Sequence, residues 1–142
     1  MISLINNILL FKYKRIWFPS YVPKVSFFDF VSLRQCKKEG VETKIASLDE
    51  FLPFFNDFAT IKHLKKLISN NLKAYSESLV ITKAFLDDVV FAMHAYVMDR
   101  EEGRARLLYS ATVNRNTSTI DLNLVGRANR FLHWSDMLMF KD

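Results

Sequence analysis

The stretch Leu79-Val80-Ile81-Thr82-Lys83-Ala84-Phe85-Leu86-Asp87-Asp88-Val89-Val90-Phe91-Ala92-Met93-His94-Ala95-Tyr96-Val97-Met98 decides the fold. It holds two β-branched and aromatic runs, residues 79–85 and 89–98, on either side of Asp87-Asp88. Asp is at home in tight turns, so the pair joins the two runs as a β-hairpin. The second run is apolar almost throughout, the pattern of a strand covered on both faces. Arg100-Glu101-Glu102-Gly103 supplies the next turn, and residues 104–113 read as a third strand antiparallel to the second.

Toward the N-terminus the period changes. Ser47-Leu48-Asp49-Glu50 fits a capping box, the Ser47 side chain serving the amide three residues on and Glu50 reaching back. Leu48, Phe51, Leu52, Phe55, Phe58 and Ile61 follow at helical spacing, with Pro53 near the first turn, where proline is tolerated. Residues 63–75 are expected to continue helically with Leu64, Leu67, Ile68 and Leu72 inward. Residues 29–39 read as a helix capped by Asp29, with Phe30, Leu33 and Lys37 sharing a face and Gly40 stopping it. Residues 41–46 read as a short strand.

Phe18-Pro19-Ser20-Tyr21-Val22-Pro23 favours an extended connection that sets residues 1–25 apart. Residues 2–11 are apolar except for Ser3, Asn6 and Asn7, and Lys12, Lys14 and Arg15 follow. That order reverses a secretory signal, and the run falls well short of the roughly 20 residues needed to cross a bilayer. It reads as a buried strand or short helix, with interfacial membrane contact as the second reading. A cytoplasmic chain without a membrane span is expected.

Toward the C-terminus, residues 114–119 form a polar loop and residues 127–141 a helix with Ala128, Phe131, Leu132, Ser135, Leu138 and Met139 on one face. The order helix–strand–helix–helix–three-stranded meander–helix predicts an α+β fold with helices packed on an antiparallel meander. At 142 residues the chain suits one domain. Its parts are the segment 1–25, a mainly helical 26–77, and the meander plus helix over 78–142.

Half of the residues are apolar and a quarter charged, with three Gly and three Pro, an ordinary globular composition with no sign of disorder. Thirteen Phe point to an aromatic core. The single Cys36 excludes an internal disulfide and a Cys-based metal cage. A net charge of +5 leans toward anionic partners without selecting one.

Gly126-Arg127-Ala128-Asn129-Arg130 reads as a small-residue, basic helix start, where backbone amides and the helix dipole can hold an anion. The same residues also fit a glycine that merely eases a turn. His94 and Tyr96 are two apart on one strand and so share a face, suiting proton transfer or an idle core pair. His133 follows Asn129 by four and shares its helix face. Three separated histidines without carboxylates at ligand spacing argue against a metal site. Arg34, Lys37, Lys38, Lys62, Lys65 and Lys66 form basic helix faces, which suit solvation or RNA contact.

Phe51-Leu52-Pro53-Phe54-Phe55-Asn56-Asp57-Phe58-Ala59, Ile81-Thr82-Lys83-Ala84, His94-Ala95-Tyr96-Val97-Met98-Asp99 and Arg106-Leu107-Leu108-Tyr109-Ser110-Ala111 follow in sequence. Gly126-Arg127-Ala128-Asn129-Arg130-Phe131-Leu132-His133-Trp134-Ser135-Asp136-Met137 completes the series. Together they resemble the landmarks of bacterial GNAT-like acyltransferases, in the branch near the Fem-type aminoacyl transferases of peptidoglycan synthesis. Leu33-Arg34-Gln35-Cys36-Lys37-Lys38-Glu39-Gly40-Val41 is similar to their basic helix-to-strand segment, so the likeness spans residues 29–142.

The resemblance implies a mixed α/β fold that transfers an acyl or aminoacyl group from a CoA- or tRNA-type donor to the amine of a small molecule or peptide. It assigns the donor site to Gly126, Arg127, Ala128, Asn129 and Arg130. Gly126-Arg127-Ala128 keeps only the Gly-x-Ala end of the family's Arg/Gln-x-x-Gly-x-Gly/Ala loop. That leaves acetyl-CoA and aminoacyl-tRNA both open as donors, with no metal. His94 is then the expected base and Tyr96 the proton donor to the leaving group, with Tyr109 and His133 at the substrate. Such proteins continue with a Gly and a strand carrying Tyr-Asp-Phe-Gly-Gly, so the resemblance implies a partial domain whose open sheet edge invites self-association. The alternative is a non-catalytic fragment or interaction module of the same fold.

Overall fold

A computed structural model describes residues 27–113 and 119–141. The readings of residues 1–25 and of most of the 114–119 loop lie outside the described residues. The chain runs α1 (Phe27–Glu39), β1 (Glu42–Ile45), α2 (Leu48–Ile61), α3 (Ser69–Lys73), β2 (Leu79–Leu86), β3 (Val89–Asp99), β4 (Arg104–Thr112) and α4 (Leu122–Lys141). This is the expected α+β element order. None of the described helices is long and apolar enough to cross a membrane.

Helix α1 begins two residues before the Asp29 cap expected for it. It ends at Gly40, whose φ of +81° suits glycine. Val41 N–H bonds Cys36 O at 3.0 Å and Gly40 N–H bonds Lys37 O at 3.2 Å, the paired closure of a left-handed helix stop. The inward residue of this last stretch is Cys36, fully buried, rather than Lys37, which stays exposed. The capping box forms as read: Glu50 N–H donates to Ser47 Oγ at 3.2 Å, and Ser47 N–H to Glu50 Oε2 at 3.1 Å. Helix α2 then buries Phe51, Phe55 and Ala59.

Residues 63–75 do not continue this helix. His63 takes a φ of +53°, the chain extends, and only Ser69–Lys73 is helical. Asn56 secures this segment from within α2, its side chain exchanging 2.9 Å and 2.8 Å bonds with the backbone of Leu67. Leu67 and Leu72 are buried, and Ile68 points outward.

The four strands form one antiparallel sheet in the order β1-β2-β3-β4. Two residues fall outside a regular register. Phe91 is extra in β3 between Val90 and Ala92, and Leu108 is extra in β4 between Leu107 and Tyr109. Helix α4, backed by α1, covers one face of the sheet over Ala84, Phe91 and Ala92, with Val125, Ala128 and Leu132 packed down. Helix α2 covers the other face, setting Phe51 and Phe55 against Met93, Ala95 and Ala111. Small strand residues thus meet large helix residues on the second face, and β3 is buried continuously from Phe91 to Tyr96, as its apolar run implied.

Candidate functional site

Helix α4 begins at Leu122, five residues earlier than the helix expected at 127. The cause is Asp121: its side chain accepts the Asn123 N–H at 2.8 Å, and its carbonyl takes the Val125 N–H at 3.1 Å. Gly126, Arg127, Ala128, Asn129 and Arg130 therefore lie inside the helix, where main-chain amides bond the preceding turn. The expected anion cradle at a helix start is corrected on that ground. Arg127 instead ties α4 to α1, its Nη2 donating to Glu39 Oε1 at 2.9 Å and Oε2 at 3.2 Å. Ala128 is fully buried in the core and Arg130 is exposed. Cys36, on α1 in the cluster shared with α4, has its thiol pushed up to about 11, first by burial and then by Glu39.

A glycine at the fifth position of a helix weakens it without conformational need. A Cβ there would approach only Arg130 Nη2, at 3.9 Å. Gly126→Ala is therefore expected to raise unfolding free energy by about 0.5–1 kcal/mol in a denaturant titration.

The polar centre lies between α4 and β3. Strand alternation places His94 and Tyr96 on the α4 face, as their spacing implied, and both are almost fully buried. Asn129, His133 and Asp136, spaced by four and three along α4, descend on them. Asp136 is only 2 % exposed, and its Oδ2 accepts the Tyr96 hydroxyl at 2.8 Å. The same oxygen lies 2.8 Å from His94 Nδ1, which donates to it. Tyr96 Oη is also 3.5 Å from His133 Nδ1. Having given its proton to Asp136, Oη can accept from His133. The result is a chain from partly buried His133 through Tyr96 to a buried Asp136–His94 pair.

His94 Nε2 meets Asn129 Oδ1 at 2.9 Å. An amide oxygen only accepts, so this contact needs a second ring proton or an amide turned to present its NH₂. Either way both nitrogens of His94 are engaged. At 2 % exposure it is not placed to meet an acceptor amine. Tyr96, the proton donor expected beside it, lies equally deep. His133 is less buried than His94, and its pKa is lowered, first by burial and then by the charge of His94, against a smaller opposing pull from Asp136. A lowered value keeps its imidazole neutral near pH 7.

Tyr109 does not join this group. It faces α2, its ring edge-on to Phe55 at 5.2 Å. The extra residue Leu108 is the reason. Tyr96 pairs with Leu107, and regular pairing would set Tyr109 opposite His94, but the bulge puts Ser110 there and turns Tyr109 to the other face. Thr82 flanks His94 from β2, and its buried hydroxyl has no hydrogen-bond partner among the described residues.

Asp136 was the functional-class residue that pattern reading passed over. Its signal is present: Val125, Ala128, Leu132 and Asp136 run at spacings of three, four and four, so a carboxylate sits on the buried line of α4. Among the described residues no group of His, Cys, Asp and Glu could hold a metal ion. Set against models of known protein families, the chain matches none.

Proposed function

We propose that the chain is a GNAT-like N-acyltransferase passing an acyl or aminoacyl group from a CoA- or tRNA-type donor to an amine, with His133 as the base at the reacting nitrogen. The observation that carries this reading is the burial of a carboxylate, an imidazole and a phenol in one hydrogen-bonded chain leading out to His133. Buried ionic groups can commonly be replaced by apolar residues of similar volume at no cost or with a gain of about 1–4 kcal/mol, so packing alone does not account for them. A sheet of four antiparallel strands with helices on both faces agrees in outline with the fold the resemblance implies.

In the transfer, the amine nitrogen attacks the acyl carbonyl. A C–N bond forms, and the C–S or C–O bond to the donor breaks. The proton shed by nitrogen passes to neutral His133, and the departing thiolate or alkoxide takes a proton back. Tyr96, Asp136 and His94 act as positioning residues: Tyr96 accepts from His133 Nδ1 and so leaves Nε2 as the basic atom. Because burial and His94 lower the pKa of His133, the base is active at neutral pH and is lost only on acidification.

The test incubates the purified chain with radiolabelled acetyl-CoA or aminoacyl-tRNA and a lysine-containing peptide. Transfer is expected from one donor, reduced by roughly 100-fold or more in His133→Gln. Its rate should rise with pH through a titration below the ordinary imidazole range and be flat above it. No transfer from either donor, or transfer indifferent to His133→Gln, refutes the reading.

A further inference from the structure

Strand β1 covers β2 only over Thr82 to Phe85, although β2 begins three residues earlier, at Leu79. The direction of the uncovered backbone follows from two bonds. Ser78 O accepts the Met98 N–H at 2.8 Å, so even-numbered residues here aim inward to β3. Ile81 O accepts the Ala46 N–H at 2.9 Å, so odd-numbered residues aim outward. The N–H and C=O of Leu79 therefore point out of the sheet edge. In the continued β1–β2 register Leu48 would stand opposite, but Leu48 already belongs to α2, and among the described residues no strand opposes Leu79. Beside this edge lies a cavity of about 370 Å³ lined by Ile45, Leu48, Leu72, Leu79 and Ile81, with exposed Lys73 also on its wall. Ile45 is 59 % exposed.

We infer that this notch binds an extended peptide segment, apolar in its centre and acidic at one end, which adds to the edge of β2 as a short strand. The outward donor and acceptor of Leu79 ask for another backbone, which an acyl chain does not offer. The cavity is at the small end of the ~300–1,000 Å³ range of ligand clefts and suits one or two apolar side chains. Lys73 makes no ion pair among the described residues, so a carboxylate complements it. Strand β4 of a second copy is a poorer occupant, since it brings Arg104 and Arg106 and no acidic residue. The inference does not depend on the acyl-transfer reading.

The probe is a fluorescein-labelled, end-capped Asp-Val-Ile-Val-Asp peptide titrated with the full chain and read by anisotropy, beside a copy with N-methylated backbone. Binding is expected for the first and not the second. Leu79→Pro removes the outward N–H while leaving the inward ladder, since proline is admitted at the first residue of a strand. Lys73→Glu reverses the charge on an exposed helix position, and keeps the test decisive if Leu79→Pro fails to fold. Each is expected to weaken binding by at least about tenfold, or ~1.4 kcal/mol. Four outcomes overturn the inference: no binding, equal binding of the N-methylated peptide, binding indifferent to Lys73→Glu, or a dimer of the free chain that Leu79→Pro dissociates.

Discussion

Asp136→Ala is expected to lower the unfolding free energy by about 3–5 kcal/mol, because it removes one partner of a buried hydrogen-bonded pair. The carboxylate, 2 % exposed, is the common acceptor for Tyr96 and His94. Removing it takes from a buried phenol and a ring N–H the acceptor they share, and a donor orphaned in a region closed to water costs about 1–3 kcal/mol. The penalty belongs to the unmatched partners and not to lost contact area. Replacing the pair together, as His94→Leu with Asp136→Leu, is therefore expected to cost less than Asp136→Ala alone. Urea unfolding of the two variants checks this; a double variant that loses the sum of the single effects would instead make packing the cause. Because stability and transfer are separate readouts, His133→Gln, at the outer end of the network, should lose activity while unfolding near the unaltered chain.

Phe51→Ala is expected to cost about 3–5 kcal/mol in the same titration. Phe51 is fully buried, its ring 5.6 Å from that of Phe55, and it packs in the cluster that includes Ala95 and Ala111 of the sheet. Those alanines sit on hydrogen-bonded strands and have no side chain to swing into the space, so the cavity persists and its cost adds to the lost burial. Phe58, on the same stripe but only partly buried, should cost clearly less when truncated. A Phe51→Ala loss no larger than that of Phe58→Ala would mean that the helix settles onto the sheet.

Local signals were legible wherever one short segment decides its own structure. The hairpin at Asp87-Asp88, the helix stop at Gly40 and the capping box at Ser47 each rest on a few neighbouring residues, and each stands as read. The shared face of His94 and Tyr96 follows from the period of two alone. Element boundaries failed where two local readings competed. Ile120-Asp121-Leu122-Asn123-Leu124-Val125 alternates like a strand, yet Asp121 caps it into helix, which moved Gly126 from a turn to a helix interior. Residues 63–75 keep a helical spacing of leucines, but Asn56 fixes the backbone of Leu67 from eleven residues away.

Turn chemistry and periodicity act over a few residues, and they were enough to read the class of fold, the order of its elements and the face carrying His94 and Tyr96. The composition of the site came instead from long-range packing. It set Asp136 and His133 of α4 over β3, turned Tyr109 away through the one-residue bulge at Leu108, and engaged both nitrogens of His94. The physical reason is that a buried polar group is satisfied by whatever packing brings to it. That packing joins residues about 40 positions apart, a distance over which no local pattern carries information.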